Sequence, residues 1–263
     1  MGNKYLLILF INLLLPLLTP AEEEQLRSYN VIYHWKELDF AFNSTETREK
    51  LIKSGEFTPA NNVITGIKVW DERIYLTIPR WRQGVPATLV SLPYDPAMKY
   101  PVEKPLQPYP SWEMNELGNC EVIQYVQSME IDPYGRMWVV DVGRVNIFET
   151  PDNKCHPKLV LIELKTGTIL KNHTFQTDVA GWDSSFLNDI VVGCKSETDC
   201  WAYISDAMGA KIVVYNYEKD KSWYVQHPSM KANENATEIV INGEFKSASY
   251  NVKVHSISST AAK

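Results

Sequence analysis

Nowhere in the 263 residues do two glycines stand one residue apart, which excludes the glycine-rich fingerprint of dinucleotide-binding folds. There is no Gly-x-Ser-x-Gly elbow, no phosphate-binding loop and no His-Glu-x-x-His helix. Serine-hydrolase, nucleotide and zinc-protease chemistry therefore has no motif to rest on. The five histidines, His34, His156, His173, His227 and His255, are scattered. Basic charge never gathers into a cluster or stripe, and 26 Lys and Arg stand against 32 Asp and Glu, for a net charge of −6. A chain of that balance offers no footprint for nucleic acid or an anionic membrane. Cysteine is limited to four residues with no Cys-x-x-Cys, and the adjacent Cys155 and His156 lack zinc-ligand spacing. No metal and no cofactor is expected. No Gly/Ser-rich or Pro-rich linker divides the chain, and helix signals are few.

Long apolar runs are equally scarce, with one exception. Lys4 precedes an apolar stretch from Tyr5 to Leu18, followed by Thr19-Pro20-Ala21 and the acidic Glu22-Glu23-Glu24. This is the three-part pattern of a secretory signal peptide over residues 1–21. It is too short, and interrupted by Pro16, to span a bilayer, which takes about 20 apolar residues. The expected location is extracellular. Three sequons agree with export: Asn43-Ser44-Thr45, Asn172-His173-Thr174 and Asn235-Ala236-Thr237.

In an exported chain, four cysteines imply two disulfides. Cys194 ends one apolar run and Cys200 begins the next, so the two face each other across a hairpin. Cys120 and Cys155 then pair, each standing ahead of a strand of the middle repeat at the same end of an up-and-down meander.

What the chain does contain is repetition. Arg73–Ile78, Arg136–Asp141 and Trp201–Asp206 are three similar β runs whose central aromatics, Tyr75, Trp138 and Tyr203, recur at intervals of 63 and 65 residues. Such self-similarity marks units that bury their apolar faces against one another. The interval fits four short strands, one blade of a β-propeller. Turn residues divide each unit accordingly, with Asp71-Glu72, Asp132-Pro133-Tyr134-Gly135, Lys165-Thr166-Gly167, Met208-Gly209 and Lys219-Asp220 between the runs. The fold class is all-β, a propeller of four-stranded antiparallel blades at about 63–110, 120–176 and 185–226. A strand-like connector covers 22–62, including Val31–Phe42, and an incomplete segment follows the third blade, with strand-like runs at Glu238–Phe245 and Val252–Ile257. The best helix is Thr45 to Ser54, stopped by Gly55.

The residues resemble the yellow / major royal jelly protein family of insects. The likeness is carried by Thr65-Gly66-Ile67, Pro79-Arg80-Trp81, Gly84 to Leu89, Pro108-Tyr109-Pro110-Ser111-Trp112 and Asn119-Cys120. It continues through Gly135 to Arg144, Cys155 to Leu159, Ala202 to Asp206, Ile212 to Tyr215 and Ser222-Trp223. The resemblance implies a six-bladed propeller. It fades after Trp223, leaving about three blades, and a fragment or truncated form with two open sheet edges is expected to self-associate edge to edge. It implies a secreted protein linked to pigmentation through the melanin pathway, binding a small aromatic amine or catechol in the channel. The alternatives are a dopachrome-converting isomerase and a structural or storage protein. Four residues are candidates for that channel. Asp141 and Asp206, at equivalent strand ends, either meet an amine and act as general bases or satisfy backbone N–H groups of neighbouring loops. Arg80 beside Trp81 either stacks a flat ring or packs one blade on the next.

Overall fold

The computed structural model describes residues 31–95, 97, 101–231, 238–241 and 244–247. The signal-peptide segment, Asn235 and the run Val252–Ile257 lie outside the described residues. Two compact units are separated. In the smaller, the described residues 31–36 and 101–104 are held together by the His34 N–H to Val102 carbonyl bond (3.2 Å) and by Trp35 Nε1 donating to Lys104 O (2.7 Å). All that follows concerns the larger unit.

Three four-stranded antiparallel sheets follow one another in the chain. The first runs β1 (Gly66–Trp70), β2 (Arg73–Thr77), β3 (Leu89–Pro93) and β4 (Gln107–Pro108). The second takes β5 (Val126–Ile131) and β6 (Arg136–Asp141). A small ribbon of β7 (Arg144–Val145) and β8 (Asp152–Asn153) intervenes, and β9 (Lys158–Glu163) and β10 (Ile169–Thr174) complete the second sheet. The third is β11 (Leu187–Cys194), β12 (Cys200–Asp206), β13 (Lys211–Asn216) and β14 (Lys221–Val225), and a hairpin of β15 (Glu238–Ile241) and β16 (Glu244–Ser247) follows. The sheets are propeller blades, and no sheet closes on itself.

The turns are where the sequence places them. Asp71 takes φ 53° between β1 and β2, and Gly135 and Gly167 take φ 78° and 74°, a region that costs glycine nothing. Asp132 locks its own turn. Oδ1 accepts from the backbone N–H of Tyr134 and Arg136, and Oδ2 accepts from Arg136 Nε (2.7 Å) and Trp138 Nε1 (2.9 Å). The α-helix α1 (Thr45–Ser54) starts where the Ser44 hydroxyl accepts from Thr47 N–H and ends on Gly55 at φ 79°. The run Val31–Phe42 forms no strand, only isolated bridges at Tyr33 and Phe40. Within it Asp39 turns its carboxylate to Phe40 N–H and the Arg48 guanidinium, competing with ladder pairing.

Burial explains the patterning. The middle sheet is covered on both faces, so β6 is buried at every position and β9 at all but its last. Met137, Val139, Val160 and Ile162 face the first sheet's Tyr75, Leu89 and Tyr109. Trp138, Val140, Leu159 and Leu161 face the third sheet's Leu187, Ile190, Ala202, Ile204, Val213 and Tyr215. The outermost strand β10 alternates half-buried with exposed residues. Cys120 is bonded to Cys155 and Cys194 to Cys200, and no described cysteine is free. Asn43 and Asn172 are both exposed. Among the described residues no helix is long and apolar enough to cross a membrane.

The first strands of the three sheets lie side by side. Lys68 on β1 pairs with Glu130 on β5 at 2.8 Å, and Ser128 on β5 donates to Asp189 on β11 at 3.1 Å. These inner strands form the wall that a propeller turns toward its axis.

Candidate functional site

Each blade's second strand ends on a polar side chain that is wholly buried: Thr77, Asp141 and Asp206. Asp141 is saturated. Oδ2 accepts from Gln124 N–H (2.8 Å), Oδ1 accepts from Tyr125 and Gly143 N–H (2.9 Å each), and the ammonium of Lys158, its cross-strand neighbour, lies 3.6 Å away. Burial pushes this carboxyl above its ordinary range, while Lys158 and the three N–H groups pull it back. Asp206 repeats the arrangement, with Oδ1 accepting from Phe186 and Gly209 N–H (2.9 and 2.8 Å) and cross-strand Lys211 at 3.8 Å. Both carboxylates serve the loops that start and leave their own blades.

Arg80 is also spent on structure. Its guanidinium, 3% exposed, donates to the carbonyls of Val85 (3.0 Å), Pro86 (2.9 Å), Asn115 (2.6 Å) and Gln124. Removal from water brings it down to about 10, with the negative charge of Asp141 opposing the shift. No face of it is left for a flat ligand.

Trp81 is different. It is half-buried, its indole ring stands 5.3 Å from the ring of Phe148, and Nε1 donates to Gln127 Oε1 at 3.2 Å. The same oxygen accepts the Tyr125 hydroxyl at 2.8 Å. Gln127 Nε2 then donates to Asn188 Oδ1 on the next inner strand at 3.4 Å. Tyr125 is fully buried, which raises its phenol well above the ordinary value and keeps it a donor. Phe186 closes on it edge-on at 6.3 Å. The result is an aromatic wall with amide acceptors and donors set into it, at the end of the inner strands where β5 and β11 begin. Such a surface suits a flat ring bearing hydrogen-bonding substituents.

Sequence reasoning singled out Trp81 and passed over Tyr125, Gln127, Phe148, Phe186 and Asn188. A signal for one pair was present. Gln127 and Asn188 stand one blade apart in sequence, each one residue into its inner strand, and both are amides.

A family model described as major royal jelly protein matches residues 124–261. The chain belongs to the major royal jelly protein family. The match continues past Trp223, where the motif resemblance fades, so the segment after the third blade is family sequence as well. Protein yellow of Drosophila yakuba is 34% identical over 193 residues, 73% of this chain and 35% of that protein. Protein yellow of Drosophila melanogaster is 34% identical over 196 residues, with the same coverage. Dopaminechrome tautomerase of Drosophila melanogaster is 33% identical over 198 residues, 74% of this chain and 42% of that protein. This royal-jelly-family chain thus spans about a third of the length of the curated relatives it matches.

Proposed function

We propose that this chain is a secreted, glycosylated member of its family. It takes a small aromatic amine or catechol against the wall formed by Trp81, Tyr125 and Gln127, in service of pigment chemistry. The observation that carries the reading is the Trp81–Gln127–Tyr125 relay. It presents an aromatic edge and a fixed amide on inner strands, while every other charged candidate is tied to backbone. The sequons at Asn43 and Asn172, both on exposed positions, are the proposed glycan acceptors. Stacking on one indole together with one hydrogen bond is worth about 1.5–3 kcal/mol, or roughly ten- to a hundredfold in affinity.

Titration calorimetry with dopamine and serotonin tests this. Saturable binding is expected, weakened at least about tenfold in Trp81→Ala and in Gln127→Leu. A folded sample that gives no heat with either amine, or variants that bind as the parent does, would sink the reading. One relative bears the name dopaminechrome tautomerase, which makes turnover the second reading. Tautomerisation needs a group that removes and returns a proton, and Asp141 and Asp206 are both committed to N–H donors. Binding without turnover is therefore favoured, and dopaminechrome decaying faster with the protein than without it would reverse that order.

A further inference from the structure

A second cleft, of about 450 Å³, opens at the opposite end of the blades, on the seam between the first and second sheets. It lies at the start of β2, whereas Trp81 lies beyond that strand's end, roughly 17 Å or more away at strand rise. Its walls carry two cations, Arg73 and Lys165, and no carboxylate. Neither cation is in an ion pair among the described residues. That is unusual in a chain with six more acidic than basic groups. Arg73 Nη1 donates to the Ser91 hydroxyl at 2.9 Å, and Ser91 is 1% exposed, so a buried group aims the guanidinium. Lys165 and Thr166 sit on the tight turn between β9 and β10. The Glu163 carboxylate below that turn is occupied by the Thr166 hydroxyl at 2.7 Å.

Two like charges sharing one cleft repel, and an anion between them removes the repulsion while gaining charge-assisted hydrogen bonds from the guanidinium. The volume exceeds what one ion fills and falls within the range of small-molecule sites. The Gln107 amide and Thr166 hydroxyl offer hydrogen bonds to hydroxyl groups, and Pro108 and Pro110 offer flat ring surface. We propose that this cleft is a binding site for a sugar carrying a tetrahedral oxyanion, a sulfate or phosphate ester. It rests on none of the residues of the aromatic wall.

The full chain is titrated with glucose 6-phosphate, glucose 6-sulfate, glucose and inorganic phosphate. Saturable binding of both esters is expected, with inorganic phosphate at least about tenfold weaker and glucose undetectable. Arg73→Gln and Lys165→Gln each reduce ester affinity about tenfold, whereas Trp81→Ala leaves it unchanged. Both charges are exposed, so circular dichroism melts of the two variants match the parent. Absence of ester binding, or affinity indifferent to both substitutions, overturns the site. Inorganic phosphate binding as tightly as the esters overturns the sugar assignment and leaves an adventitious ion only.

Discussion

The two seams of this molecule are closed by different means. Between the first and second sheets, Arg80 reaches across and donates to four carbonyls, two in its own loop and two, Asn115 and Gln124, ahead of the next blade. The residue at the matching place one blade on is Arg144, and it achieves far less. Nη1 donates to Asp183 O at 2.9 Å, and its buried Nε has no hydrogen bond. The second seam leans instead on apolar contact, with Trp138 edge-on to Tyr215 at 6.1 Å, and on a clip at the rim where His173 of β10 meets Asp220 and Ser222. A repeat can conserve a position while changing what that position does. A buried guanidinium with all its donors satisfied holds one seam, and hydrophobic area with polar contacts at the edge holds the next.

The largest effect that separates the seams is expected at these two arginines. Arg80→Leu leaves four carbonyls without a donor in a site closed to water, at a cost of about 3–5 kcal/mol. Arg144→Leu removes one partner from a half-buried side chain and costs about 1 kcal/mol. Urea unfolding of the two variants beside the parent measures the gap. Equal losses would mean that the four-carbonyl cradle is not what holds the first seam.

Much of the blade architecture was legible, because its causes are local or periodic. Asp132-Pro133-Tyr134-Gly135 is a turn by its own chemistry, and the double-sided burial of β6 and β9 follows from continuous apolar runs. Ser44 and Gly55 bound α1 as a cap and a stop. The site was less legible. Arg80 beside Trp81 reads as one stacking platform, yet the strand end turns their side chains to different tasks, one into a cage of carbonyls and one onto Gln127. Those carbonyls come from residues up to 44 positions away, and no local pattern announces them. The run Val31–Phe42 misled because alternation alone does not supply a neighbouring strand. Asp141 and Asp206 carried their own clue, since a residue kept in the same place in each blade serves the blade before it serves a ligand.

Those two carboxylates sharpen the comparison at the next level of effect. Asp141 meets three N–H donors with both oxygens, whereas Asp206 engages two with Oδ1, and its Oδ2 has no hydrogen bond among the described residues. Replacing a carboxylate by an amide keeps one acceptor oxygen and turns the other into a donor. Asp141→Asn must therefore set an NH2 against a buried N–H and lose the attraction of Lys158, at about 2–3 kcal/mol. Asp206→Asn can place its NH2 where Oδ2 stood, losing chiefly the attraction of Lys211, at about 1 kcal/mol. Thermal melts of the two variants rank them, and the reverse order would break the proposed equivalence of saturation with stability.

The smallest effect belongs to the rim clip, and it is read in pH. Burial lowers the pKa of His173 from its ordinary value of 6.5, with Asp220 opposing and Lys171 adding to the shift. Desolvation alone would raise the Asp220 carboxyl. The Tyr215 hydroxyl, Lys171 and His173 outweigh it and hold the group below 3.8, so it stays ionised across the window in which the histidine titrates. The folded chain then binds fewer protons at His173 than the unfolded chain does as pH falls through 6.5. By linkage its contribution is complete above that pH and is lost below it. The second seam should weaken by a fraction of a kcal/mol between pH 7.5 and pH 5.5, and His173→Gln should remove that part of the slope. Urea midpoints of parent and variant at the two pH values isolate the term from the other histidines. A parent whose midpoint rises on acidification relative to the variant would show that pairing with Asp220 outweighs burial at this contact.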